Sequence, residues 1–318
     1  MASRLPFPSR ILAYAYSLWL FTFSDLKTIV IPSTVFGIAN ARATRSYHGD
    51  HQYDPASSWV GDSLVRLPIV FFWLWIHLLP FNVSNQRDLE SIEEDRINKP
   101  WRPLPSGRMS RREAGFIIVT FYILAQLYSL WLGTGLVQGA VLVLLGTWYN
   151  SLGGADCNPF VRNLINSLGY TCFITGALEA ATNKPLFFLL LMSRPTPFWL
   201  VLMANWVAII AGIVFTTVHS QDMEDQVGDA ARQRRTVPLA IGDAPARWVL
   251  AAWMVLWGVL CPAFWNAAML ARIVCTMLAW VVALRSLLMR DVDSDKRTFA
   301  IWNSWMAIVY ALPLTARS

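Results

Sequence analysis

Charge is scarce in this chain. Only 14% of its 318 residues are Asp, Glu, Lys or Arg, against about 25% in an ordinary soluble domain. Because 55% of the residues are hydrophobic, that deficit excludes a large water-soluble domain. Cysteine is scarce too. The four present, Cys157, Cys172, Cys261 and Cys275, form no CxxC pair, which excludes a zinc module or a disulfide framework. They read as small buried apolar residues. Low-complexity tracts are missing, and the longest polar connections are only 42–58, 87–111 and 223–245. The net charge of +6 is spread between apolar runs. With no basic stripe or tail, a nucleic-acid partner is excluded.

What the chain does have is apolar runs about twenty residues long, enough to cross a bilayer as helices. Nine segments qualify: 13–41, 60–86, 112–132, 136–150, 159–181, 197–222, 246–264, 267–289 and 298–315. The expected fold is all-α, a polytopic membrane bundle of about nine transmembrane helices, with residues 1–318 as one integral-membrane domain. Arg4 and Arg10 precede an apolar stretch that is too long for a cleavable signal peptide and has no small-residue cleavage site. With the N-terminus in the cytosol, alternating spans place most Lys and Arg on the cytosolic side, as the positive-inside rule requires. Both long charged loops, 87–111 and 223–245, then share that side. An endoplasmic reticulum membrane is the expected location.

The second loop contains "HSQDMEDQVGDAARQRRTVP" at 219–238. On a continuous helix Asp222, Asp225 and Asp229 fall within about 60° of one another. Three carboxylates on one face repel unless a cation sits among them. Mg²⁺ suits such a site because it takes oxygen ligands and bridges carboxylates to substrate phosphates. Arg232, Arg234 and Arg235 follow and supply donors for phosphate oxygens. The first loop begins "NQRDLESIEEDRINKPWRPLPSG" at 85–107. If the second span continues as a helix past residue 85, Asn85, Asp88 and Asp95 lie within about 80° of one another. Glu90, Glu93 and Glu94 then point elsewhere, as solvated surface. Lys99 and Arg102 trail the acids. Two acid-rich helix ends with trailing basic residues, facing across one mouth, suit a diphosphate bound through Mg²⁺.

These passages resemble the UbiA superfamily of intramembrane prenyltransferases, whose motifs have the forms NDxxDxxxD and DxxDxxGD. The second motif matches at Asp222, Asp225, Gly228 and Asp229, and "NKPWRPLPSG" resembles the segment that follows the first. The first motif departs in spacing. Counted from Asn85 the acids fall on Gln86, Leu89 and Glu93; counted back from the tail they fall on Asp88, Ser91 and Asp95. This form, with "SDLKTIVIP" at 24–32 and "YNSLGGADCNPFVRNLIN" at 149–166, is similar to a fungal branch that includes membrane-bound terpene cyclases. The resemblance implies Mg²⁺-assisted ionisation of an isoprenyl diphosphate in a lipid-facing helical cavity.

The expected metal ligands are Asn85, Asp88, Asp95, Asp222, Asp225 and Asp229, with the five aspartates as catalytic residues. The expected diphosphate partners are Lys27, Lys99, Arg102, Arg232, Arg235, Tyr149 and Asn150. Lys27 and Asp25 are two residues apart, so on a regular helix they do not face each other. His77 and His219 read as internally hydrogen-bonded. Aromatic prenyltransferases of the family place a basic residue closely after the tyrosine that ends the fourth helix. Here Tyr149 meets no Lys or Arg before Arg162. That spacing favours a cyclase, which turns farnesyl or another isoprenyl diphosphate into a terpene hydrocarbon. Two alternatives stay open: transfer to an aromatic or polyketide acceptor, and a membrane transporter or binding protein. The expected partners are the isoprenyl diphosphate and the bilayer, with no obligate protein partner evident.

Overall fold

The computed structural model describes residues 7–47 and 57–317, so Arg4 and the polar stretch 48–56 lie outside the described residues. Among these residues every extended element is a helix. Helix α1 (Phe7–Asp25) passes through a π-helical turn (Leu26–Val30) into α2 (Ile31–Tyr47). Then come α3 (Ser57–Arg87), α4 (Leu89–Asn98), α5 (Arg111–Leu132), α6 (Leu136–Ser151), α7 (Pro159–Thr182) and α8 (Leu186–Met192). After α9 (Phe198–Thr217) a 3₁₀ turn (Val218–Asp222) leads to the short α10 (Gln226–Ala231) and α11 (Val237–Ile241). The long α12 (Asp243–Phe264), α13 (Met269–Leu288) and α14 (Val292–Ala311) complete the chain.

Helices are what apolar runs must form in lipid, where each backbone polar group needs an internal partner. Their ends follow from local chemistry. Ser110 and Glu113 form a reciprocal capping box at the start of α5. Gly133 and Gly135, with φ of 70° and 72°, turn the chain tightly into α6 where a side chain would strain the backbone.

Among the described residues, five helical segments are both long and apolar enough to cross a membrane: Leu64–Arg87, Arg111–Leu132, Phe198–Asp222, Asp243–Phe264 and Met269–Leu288. The other four expected spans fall on α1–α2, α6, α7 and α14. Helix α6 has 16 residues, and α7 buries Arg162, Asn163 and Glu179. Length and composition alone single out five spans among the described residues, and the count of nine is not confirmed by them.

Helix α7 packs against α2, α3, α6 and α9. The remaining contacts run α9–α12, α12–α13, α13–α14 and α14–α2, which closes a bundle. The α2–α7 contact is a backbone one: a Cβ on Gly37 would lie 2.7 Å from the Ala177 carbonyl oxygen. Small residues permit such close approach between membrane helices. Large apolar side chains such as Phe116, Ile123, Trp131, Leu144, Trp248 and Leu270 are exposed on the outside, while Arg162, Asp222 and Asp229 are buried within. A surface this apolar suits lipid and would not stay dispersed in water. The chain folds as an all-α integral-membrane bundle.

Candidate active site

A cavity of about 230 Å³ lies among α1, α3, α6, α7 and the segment after α9. Helix α3 gives its depth. Asn85, Phe81 and His77 all line it and are spaced by four residues on one helical face. Eight residues of helix span about 12 Å. The end near Asn85 is polar, with Lys27, Lys99, Arg102, Arg162, Asp222 and Arg234 in its wall. Toward His77 the wall becomes apolar and aromatic, with Leu78, Tyr170, Phe173 and Phe299.

The first acid-rich motif is built differently from the expectation. Helix α3 ends at Arg87, and Asp88 has extended backbone with φ −70° and ψ 153° before α4 begins. That break resets the helical phase, so Asn85, Asp88 and Asp95 share no common face. Asp88 is exposed. Asn85 lines the cavity and donates to Asn150 Oδ1 at 3.0 Å; Asn150 in turn donates to the Phe81 carbonyl at 3.4 Å. Asp95 is buried beside the cavity and accepts two bonds from Arg102 Nη1, at 2.8 and 3.0 Å. Burial pushes the Asp95 carboxyl up, against the pull of Arg102. Its visible work is to hold Arg102 in the cavity wall. Glu94, expected as solvated surface, is only 8% exposed and lines the cavity. It accepts from Arg234 at 3.2 Å and Arg232 at 3.4 Å. Glu90 and Glu93 are exposed as expected.

The second motif is not one continuous helix either. Asp222 ends the 3₁₀ turn, Asp225 precedes α10, and Asp229 lies within it. Each carboxylate has its own cation. Asp222 accepts from Arg162 Nη2 at 2.8 Å, Asp225 from Lys99 at 3.2 Å and Asp229 from Arg234 Nη1 at 3.1 Å. The Lys99–Asp225 pair ties the two motifs together. Gly228 allows their close approach, because a Cβ there would lie 2.2 Å from Asn98 Nδ2. Arg232 bridges Ser91, Glu94 and Asp156 behind the wall. Arg235 is exposed and does not line the cavity, whereas its neighbour Arg234 is buried and does.

Arg162 corrects another expectation. Thirteen residues after Tyr149 in sequence, it donates to the Tyr149 hydroxyl at 2.7 Å from the first turn of α7. The tyrosine therefore has a basic neighbour, contributed by the next helix, and the spacing argument against one fails. A lone arginine in an apolar segment is costly unless paired, and that rule is the signal that could have marked Arg162. Asp156, which accepts from Arg234 Nε at 3.0 Å, was also missed. Asp25 and Lys27 both line the cavity although they are two residues apart. The π-helical turn that starts at Leu26 adds a residue to the helical repeat, and such turns are frequent at functional sites. Asp25 accepts from Asn82 at 2.8 Å.

Do these residues fit a divalent cation? Among the described residues no three Asp, Glu, His or Cys side chains converge as a ready-made metal cluster, because basic side chains stand between the carboxylates. Yet Asp222 Oδ2 and Asp229 Oδ2 are both buried without a hydrogen-bond partner. A buried carboxylate oxygen left unpaired is destabilising. Burial raises the Asp229 carboxyl, Arg162 offsets this in part, and Asp222 adds to it. Hard oxygen donors in this electrostatic setting fit Mg²⁺.

Prediction follows for the first motif. Glu94→Gln removes the counter-charge that holds Arg234 at the cavity and is expected to slow diphosphate release about tenfold, near 1.4 kcal/mol. Asp88→Ala changes an exposed residue and is expected to stay within about twofold of wild type. Release rates on purified membranes check both; equal losses in the two variants would return Asp88 to the site.

A helical membrane bundle thus encloses a buried cavity that joins a mouth of acids and bases to an aromatic depth. Residues 56–305 match the UbiA prenyltransferase family, and the chain belongs to that family. It is 30% identical to fumagillin β-trans-bergamotene synthase of Aspergillus fumigatus, over 96% of this chain and 94% of that protein. It is 29% identical to somaliensene A/B synthase of Streptomyces somaliensis, over 93% of this chain and 91% of that one. A solved UbiA homologue from Archaeoglobus fulgidus, bound to GPP and Mg²⁺, superposes with a TM-score of 0.57 at 14% identity, covering 93% of this chain and 98% of that one.

Proposed function

We propose that this protein is a membrane-bound terpene cyclase that ionises an isoprenyl diphosphate, farnesyl diphosphate in the first instance, and closes the resulting cation into a hydrocarbon. The observation that carries this reading is end-to-end likeness to two terpene synthases, at 30% and 29% identity. Arg162 beside Tyr149 means that sequence spacing no longer contributes. An ion-coupled transporter is set aside, because the chain belongs to a family of enzymes.

The diphosphate enters the polar end of the cavity, where Lys27, Lys99, Arg102, Arg162 and Arg234 offer donors to its oxygens. Asp222, Asp229 and Asp225, with Glu94 and Asn85 opposite, are the residues that would hold Mg²⁺. When bound, Mg²⁺ neutralises charge on the departing diphosphate. The prenyl chain extends along Phe81 toward Tyr170, Phe173 and Phe299. Aromatic faces there stabilise a cation, and the apolar wall keeps water from trapping it as an alcohol. The distribution of Lys and Arg supports a polar mouth that opens to the cytosol, and the membrane in this reading is that of the endoplasmic reticulum.

A second reading, transfer of the prenyl group to an aromatic or polyketide acceptor, gains from the Arg162–Tyr149 contact at 2.7 Å. One experiment separates the two. Membranes containing the protein are given Mg²⁺ and, separately, the C10, C15 and C20 diphosphates without acceptor, and extracts are run by gas chromatography. Cyclic hydrocarbon from one of them is the expected result. Turnover only after a phenolic or polyketide acceptor is added would make the protein a transferase.

A further inference from the structure

We propose that Gly169 admits an isoprenyl chain longer than C10 to the cavity, so that this glycine selects the substrate by length; this rests on the isoprenyl diphosphate reading above and holds for cyclase and transferase alike. Glycine is the poorest helix former after proline, so its place inside α7 needs a reason. In a membrane bundle the usual reason is close approach of two helices. Four other glycines have it: a Cβ on Gly37, Gly139, Gly146 or Gly258 would lie 2.6–2.9 Å from an atom of another helix. Gly169 does not. A Cβ there meets no described atom within 4 Å, and the backbone is that of an ordinary α-helix. Neither packing nor conformation asks for glycine at this position. What the missing side chain does leave is room in the cavity, which Gly169 lines.

That room lies along the path of the chain. Arg162, Asn166, Gly169, Tyr170 and Phe173 line the cavity from one face of α7, at helical spacing. The face is polar at Arg162 and Asn166 and aromatic at Tyr170 and Phe173, and Gly169 stands where it changes. Arg162, paired with Asp222 at 2.8 Å, is at the level of the diphosphate. Seven residues of helix put Gly169 about 10 Å below it. The carbon that ionises is bonded to a diphosphate oxygen, so it stays above Gly169, and the later part of the chain is what passes. Bulky side chains already stand elsewhere around the cavity: His77 and Phe81 on α3, Leu142 on α6 and Phe299 on α14. A large side chain at residue 169 would join them and narrow the passage, whereas a hydrogen atom leaves it open.

The test measures diphosphate release by wild-type, Gly169→Ala and Gly169→Leu proteins in membranes with Mg²⁺, given the C10, C15 and C20 diphosphates separately. Wild type is expected to favour C15 or C20 over C10 in kcat/KM. In Gly169→Leu an isobutyl group enters the passage, and that preference is expected to fall at least about tenfold, the low end of what one methylene carries in an apolar pocket. Gly169→Ala is expected to shift it the same way by less. Its unfolding temperature in detergent is expected to equal or exceed that of wild type, because alanine is the better helix former and its methyl meets no neighbour. Damage to the helix would lower release from all three substrates together, so an unchanged preference in Gly169→Leu overturns the assignment. A wild type that favours C10 overturns it too. If Gly169→Leu fails to accumulate, the preference of Gly169→Ala decides alone. Wild-type membranes that release no diphosphate from any of the three overturn the isoprenyl diphosphate reading, and this inference with it.

Discussion

Asp222→Asn and Asp229→Asn are each expected to cut diphosphate release by about 10³-fold, near 4 kcal/mol, while the protein still accumulates in membranes. Both residues are only 1% exposed. In each, one oxygen is held by an arginine and the other, Oδ2, has no partner. An amide at either place keeps the shape but presents NH₂ where one acceptor oxygen stood, so the side chain can no longer serve both the arginine and a hard cation. Asp225, with a side chain 25% exposed and paired to Lys99 at 3.2 Å, is expected to show a smaller loss on conversion to Asn. The same reading expects turnover to stop in excess EDTA and to return when Mg²⁺ is restored. Diphosphate release from membranes, with protein level checked by immunoblot and by size exclusion in detergent, measures all of these. Full activity in the Asp222→Asn/Asp229→Asn double variant, or in the chelator, would falsify the metal-site proposal.

The second large effect is expected at Arg162. One guanidinium bridges the Tyr149 hydroxyl at 2.7 Å and Asp222 at 2.8 Å, and it lies over the Tyr149 ring at 5.7 Å. Replacing it by Gln removes the cation from a buried pair, a change that typically costs about 3–5 kcal/mol because the remaining charge is left uncompensated. Arg162→Gln is therefore expected to slow release by about 10²-fold or more and to lower the unfolding temperature in detergent. Arg162→Lys is expected to recover part of the rate, because an ammonium restores the charge but lacks the planar fork that reaches two partners at once. Tyr149→Phe, which removes one hydroxyl and keeps the ring, is expected to lose less than either. If Arg162→Gln turned over at the wild-type rate and was merely less stable, the bridge would be structural alone.

Much of this site was legible before folding. Asp222, Asp225, Lys99, Arg102 and Asn85 stand out by charge and spacing, and all line the cavity. The errors share one origin. The notion that Asn85, Asp88 and Asp95 share a face assumed an unbroken helix, and Asp88, with ψ of 153°, breaks it. The side chains after it are rotated to new bearings, which turns Glu94 inward. The separation of Asp25 from Lys27 assumed regular α-helix, which the π-helical turn Leu26–Val30 replaces. Tyr149 has no basic residue among its near chain neighbours, yet its polar partner comes from α7.

The sequence by itself determined the membrane setting, the all-helical class, the family resemblance and the two acid-rich segments. Those depend on composition and on short spacings, and a bilayer permits a long apolar run little besides a helix. The tertiary structure decided which acid meets which base: Arg162 with Asp222, Arg234 with Glu94, Lys99 with Asp225. It also decided that His77, one histidine among apolar residues, faces the cavity. Periodicity predicts neighbours only while the helix stays in phase. Each of these pairs joins residues more than fifty positions apart, across helix ends where that phase is lost, and only packing brings them together.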